Sequence, residues 1–249
     1  FQEFMASKHH TDDVFRSKRV PKNPIKFKLQ LNEEQKAAKK SILENTITLL
    51  GGSAGSGKTL LACNVALDGL FRKQYDKIII TRPTVSKEEI GFLPGDLREK
   101  MDPWVQPIYQ NFFALYDKVK IEKFIEDGKI EIVPVSFMRG RTFLDSLIIV
   151  DEAQNVTHEQ MEMITSRIGL RSKMVVCGDS HQTDLKKKSD SGFKFLYSAA
   201  RKIKNLEAIT LTTNHRNEIV EDLINYYNEA VNKGASITTS GSYNYNSKN

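Results

Sequence analysis

The chain has little cysteine. Only Cys63 and Cys177 occur in 249 residues, in different expected elements and without metal-ligand spacing. A disulfide framework and a zinc finger are therefore both excluded. Such sparse use suits a reducing compartment, and a cytoplasmic location is expected. Long hydrophobic runs are also lacking. None reaches the roughly 18 residues of a membrane span, the mean hydropathy is −0.43, and the N-terminal region lacks the apolar stretch of a secretory signal. No membrane partner is expected. The length is enough for a hydrophobic core without staples, and 39% hydrophobic with 27% charged residues is an ordinary globular balance.

An acidic excess is absent too: 37 Lys and Arg face 31 Asp and Glu, a net charge of +6. Most of it is local. Residues 5–28 hold Lys8, Arg16, Lys18, Arg19, Lys22, Lys26 and Lys28 against Asp12 and Asp13, a net +5, and residues 29–233 are close to neutral. A basic arm suits a polyanion such as nucleic acid, and reads equally well as a solvated tail. The organisation expected is a basic arm over 1–30, a domain over 31–233 and a flexible polar tail over 234–249. Phe1–Phe4 precede Met5 and read as foreign to the native start.

Between the ends, apolar runs alternate with helical patterns. Strands are expected at Thr46–Leu50, Lys77–Thr81, Lys129–Pro134, Leu147–Val150, Met174–Cys177 and Ala208–Leu211. Helices are expected at Lys58–Arg72, Thr157–Ile168, Gly192–Ile203 and Glu218–Asn232, with Asp102–Asp127 largely helical. The alternation predicts an α/β domain, a mostly parallel sheet with helices on both faces. Ligands of such sheets bind beyond the carboxyl ends of the strands.

Three strand tips carry chemistry. Gly52, Ser53, Ala54, Gly55, Ser56, Gly57, Lys58 and Thr59 match G-x-x-x-x-G-K-[ST] between a strand and a helix. Glycines bring backbone N–H groups close to phosphate oxygens, and the helix start adds its dipole. Lys58 reaches the β- and γ-phosphates, the Thr59 hydroxyl ligates Mg²⁺, and Leu60 completes the ATP-binding set. The strand Leu147–Val150 ends in Asp151 and Glu152. Asp151 is placed to hold Mg²⁺, and Glu152 to orient or deprotonate the attacking water. The third tip runs Gly178-Asp179-Ser180-His181-Gln182, where the Gln182 amide can contact the γ-phosphate or that water. His181 reads as a loop histidine. Lys186–Lys188 suits either polyanion contact or a solvated face.

From about Leu31 to Ala230 the chain resembles the PhoH-like P-loop ATPases, relatives of superfamily 1 helicases. Besides the strand tips, the resemblance rests on Thr81-Arg82-Pro83, on Gly91–Pro103 followed by Trp104, on Phe137–Thr142, on Gln160-Met161 and on Ser166–Gly169. It implies a single RecA-like P-loop NTPase domain that binds ATP with Mg²⁺, hydrolyses it, and is connected with RNA. It further implies that Gln35 in Leu31–Gln35 reads adenine, although Asn32 and Gln35 equally fit a helix capping box. Arg216 resembles the arginine that approaches the γ-phosphate, but Asn217-Glu218 replaces the family's usual His-Pro after it.

Related helicases close the ATP site between two such domains, and this chain has room for one. A ring homo-oligomer, with a hexamer favoured, is therefore expected to supply the missing wall and an arginine. Arg139, Arg141, Arg167 and Arg171 are the candidates, and each fits an internal ion pair as well. Phe92, Trp104 and Tyr109 can stack on bases of RNA or another single strand, whereas Trp104 with Phe112 and Phe113 also reads as core. The leading expectation is an ATPase, possessing Lys58, Glu152, Gln182 and Arg216 as catalytic residues, that binds or remodels RNA. The alternative is an ATP-dependent switch or scaffold that recruits an RNA-processing partner without unwinding. A small-molecule kinase fits less well, since no lid is evident, and no separate acid cluster supports a nuclease.

Overall fold

Six strands pair in parallel in the order β3-β2-β4-β5-β1-β6. They are β1 (Ile47–Gly51), β2 (Lys77–Thr81), β3 (Ile130–Ile132), β4 (Ser146–Val150), β5 (Lys173–Gly178) and β6 (Leu206–Thr210). The computed structural model of the chain describes residues 30–83, 97–179, 190–200 and 202–213, with 219, 220, 222, 223 and 226 beyond them. The chain divides into two units, 1–214 and 215–249. The described positions of the second unit are helical, within the stretch where Glu218–Asn232 was expected to be, and Ile219, Leu223 and Tyr226 are exposed there.

The near-continuous apolar strands have a direct cause. Successive strand residues point to opposite faces, and here both faces are covered. Leu50, Ile78, Ile80, Leu147, Ile149, Val175 and Cys177 join one buried cluster. Their alternates Leu49, Ile79, Ile148, Val150, Met174 and Val176 join another on the opposite face. The first face is covered by α1 (Glu33–Glu44), α2 (Lys58–Phe71), α3 (Leu97–Leu115) and α4 (Lys118–Glu126), through Ala38, Leu61, Phe112 and Ile121. The second is covered by α5 (His158–Thr165) and α6 (Gly192–Ala199), through Met161, Ile164 and Phe193. This is the parallel α/β architecture expected from the alternation.

Several boundaries differ from expectation, each for a local reason. The stretch 102–127 forms two helices, because Asp117 caps α4 by accepting a hydrogen bond from Lys120 N–H. Helix α5 stops at Thr165, where Thr165 Oγ1, Ser166 Oγ and Arg167 Nε donate to the carbonyls of Met161 and Met163. The edge strand β3 is shorter than expected, and Pro134 beyond it has no N–H for the ladder. Phe112 is fully buried, which makes it core, while Tyr109 packs on Phe113 at 6.3 Å between ring centroids.

Register brings the strand tips together. Gly51 lies opposite Gly178 of β5 and Thr210 of β6. Val150 lies opposite Thr81 of β2 and Val176 of β5. The residues that follow these positions therefore share one edge of the sheet.

Candidate nucleotide site

The loop after β1 depends on glycine at its first turn. Gly52 has φ +145°, and a Cβ there would lie 2.6 Å from Leu211 O and 2.8 Å from Ser56 Oγ. Gly57, the residue before α2, has φ +81° in the left-handed region. Lys58 folds back over this loop. Its Nζ donates to Gly52 O at 2.8 Å, Ser53 O at 2.7 Å and Ser56 Oγ at 3.3 Å. Burial lowers its pKa, while nearby acids including Asp179, Glu152 and Asp151 pull the other way. The ammonium is thus held at the loop, where phosphate oxygens would replace carbonyl partners.

The carboxylate strand meets the loop directly. Thr59 Oγ1 donates to Asp151 Oδ1 at 2.6 Å across 92 residues of sequence. Asp151 is buried, and its N–H donates to Thr81 O at 2.8 Å, which fixes the β4 tip against β2. The Thr81 hydroxyl beside it is buried without a hydrogen-bond partner. Thr59 Oγ1 and Asp151 Oδ1 bring two oxygens together here, and no group of three or more His, Cys, Asp or Glu able to hold a metal occurs among the described residues. This donor set fits Mg²⁺, which takes one or two protein oxygens and completes its shell with phosphate and water. Cys63 and Cys177 are buried, and burial pushes both thiols up, away from the reactive thiolate form.

Glu152 adopts a left-handed backbone, φ 50° and ψ 39°, unusual for a residue with a Cβ. Its carboxylate accepts a hydrogen bond from Gln154 Nε2 at 2.5 Å. The same amide's Oε1 accepts from Asp179 N–H at 3.1 Å, and Gln154 O accepts from Ser191 Oγ at 3.1 Å. Gln154 therefore ties the second strand tip to the third. Sequence reading passed over this residue, although its place two positions after Glu152 on a short turn was a usable cue.

At the other side of the loop, Asn32 and Gln35 form a reciprocal capping box at the start of α1. Gln35 N–H donates to Asn32 Oδ1 at 2.8 Å, and Gln35 Oε1 accepts from Asn32 N–H at 3.1 Å. Glu34, also passed over, accepts from Thr212 N–H, Thr212 Oγ1 and Thr213 N–H. Those bonds hold its carboxyl down at about 2.

The four arginine candidates separate. Arg171 makes a largely buried two-point pair with Asp145, 2.6 Å to each carboxylate oxygen. Arg141 pairs with Glu131 at 2.9 and 3.2 Å and lies over the Phe143 ring. Arg167 donates to the carbonyls of Met163 and Arg141. Arg139 makes one loose contact of 3.8 Å with Glu159, both side chains exposed. Gln182, Arg216, Phe92 and Lys186–Lys188 lie outside the described residues.

A parallel strand, a glycine-rich loop and a helix, with an acid-tipped strand two places away bonded to the loop's threonine, define a P-loop nucleotide-binding protein. The family model described as PhoH-like protein matches residues 29–228. The chain belongs to this family. It is 38% identical over 196 residues to a PhoH-like protein of Synechocystis, covering 78% of this chain and 60% of that protein. It is 41% identical over 196 residues to one of Mycobacterium tuberculosis, covering 78% and 56%. It is 40% identical over 197 residues to one of Bacillus subtilis, covering 79% and 60%. The chain thus spans 56–60% of the length of these relatives. Among solved structures, the Pif1 helicase of Candida albicans is similar with a TM-score of 0.42 and 18% identity, covering 81% of this chain and 44% of that one. Among the described residues, no helix is long and apolar enough to cross a membrane.

Proposed function

We propose that the chain binds ATP with Mg²⁺, hydrolyses it, and binds single-stranded nucleic acid, RNA above all, as a ring-shaped homo-oligomer. The observation that carries the nucleotide part is the 2.6 Å bond between Thr59 and Asp151, which joins the phosphate loop to the acidic strand. Loop N–H groups and Lys58 would bind the phosphates. Thr59 and Asp151 would hold Mg²⁺, which when bound neutralises charge on the phosphate oxygens. Glu152 would take the proton of the attacking water, its carboxylate aimed by Gln154.

The polyanion part is supported by the charge of residues 5–28, and the ring by the arginines. Arg141, Arg167 and Arg171 are engaged within the chain, so of the candidate arginines Arg216, or Arg139 of a neighbouring copy, would join Lys58 at the γ-phosphate. Such an arginine is worth about 10³–10⁵ in rate in other phosphoryl-transfer enzymes.

Two variants test the assignment. Lys58→Ala should abolish turnover. Glu152→Gln should retain ATP binding with phosphate release reduced about a hundredfold or more, the loss expected for a general base. Normal hydrolysis by Glu152→Gln would remove Glu152 from its role. Tight ATP binding with negligible release by the unaltered chain, RNA present, would favour the switch over the enzyme.

A further inference from the structure

Residues Leu211–Thr213 join parts of the site that lie far apart in sequence. Leu211 N–H donates to Gly51 O at 2.8 Å, and Leu211 O sits so close to Gly52 that no Cβ fits there. This strap thus lies against the first turn of the phosphate loop. Its next two residues are gripped by one carboxylate. Glu34 Oε1 accepts from Thr212 N–H and Thr212 Oγ1, both at 2.7 Å, and Oε2 accepts from Thr213 N–H at 3.2 Å.

Glu34 is the second residue of α1, and Gln35 is the third. The Gln35 amide cannot turn over freely. Asn32 N–H fixes which end is oxygen, and Nε2 makes no hydrogen bond among the described residues. Adenine offers an acceptor, N7, beside an amino group, whereas guanine offers two acceptors, N7 and O6. An amide locked in this orientation matches adenine and sets its oxygen against guanine O6. The match also requires that the amide stand at a fixed distance from the phosphates. The body of α1 is anchored through Ala38 and Ile42 and through the 2.8 Å Lys39–Asp68 pair to α2, and Glu34 links its first turn, where Gln35 sits, to the strap on the phosphate loop.

We propose that Glu34 is a positioning residue for base recognition. By fastening the start of α1 to the strap on the phosphate loop, it sets the preference of the site for an adenine over a guanine nucleotide. The inference rests on Gln35 as the base contact.

The test is equilibrium competition of ATP and of GTP against a fluorescent ATP analogue on the full chain with Mg²⁺, which needs no hydrolysis. Glu34→Ala should weaken ATP about tenfold and GTP less than about twofold, the scale of losing hydrogen bonds to a charged group. Glu34→Gln, whose single oxygen can keep the Thr212 bonds, should fall between and guards against a folding defect. Gln35→Ala should lose the preference as well. If Gln35→Ala loses it while Glu34→Ala keeps it, the inference is overturned and the base contact stands. If Gln35→Ala keeps it, the base contact falls and the inference with it. Equal weakening of ATP and GTP by Glu34→Ala overturns the inference alone, because that marks a general loosening of the loop.

Discussion

Among the described residues, the three side chains central to the site are held by neighbours before any nucleotide arrives. Lys58 rests on loop carbonyls, Thr59 on Asp151, and Glu152 on Gln154. Such preorganisation matters because a group already aimed at the developing charge need not reorient during reaction. Which of these residues were legible follows from distance along the chain. Lys58, Thr59, Asp151 and Glu152 sit in contiguous patterns whose chemistry is local. Gln154 reaches Glu152 locally, but its bond to Asp179 and those of Glu34 to Thr212 and Thr213 span 25 and 178 or more residues, and no local pattern encodes those pairings. Glu34 also carries a pH signature. Its carboxyl is depressed from 4.5 to about 2, so its contribution to stability is complete above pH 4.5 and is lost as pH falls toward 2. The stability gap between the unaltered chain and Glu34→Gln, measured by denaturant unfolding at several pH values, should shrink across that window. A gap constant down to pH 2 would show that the charge makes no such bond.

At the scale of elements, the parallel sheet was legible because β1, β2, β4 and β5 are buried on both faces, which demands unbroken apolar runs. Helix ends were less so, since side chains that cap one turn compete with continuation. Asp117 divides α3 from α4 in this way, and the hydroxyls of Thr165 and Ser166 end α5. The capping box of α1 was the exception, because Asn32 and Gln35 stand at the spacing that the geometry requires. Asn32→Ala should cost about 1 kcal/mol in urea unfolding. The Asn32 backbone N–H that orients the Gln35 amide is kept in this variant, so ATP affinity should change little. A marked loss of ATP affinity would instead tie base recognition to the Asn32 side chain.

Over the whole molecule, strand order decides where chemistry can occur. Placing β5 between β1 and β4 sets Asp179 between the phosphate loop and Asp151, so three tips converge although 52 and 179 are distant in sequence. Bulk charge says less than it first suggests. The net +6 resides mainly in residues 5–28, and the body over 29–233 is nearly neutral. The proposed nucleic-acid binding would therefore rest on the arm or on an assembly of copies, and phosphate contacts of either kind would make it sensitive to salt. The most direct test is steady-state phosphate release with Mg²⁺ and ATP, alone and with single-stranded RNA or DNA, across a salt series. Release that requires Mg²⁺ and Lys58, and that RNA stimulates at low salt, is the predicted result. ATP bound at the phosphate loop without any release under these conditions would contradict it.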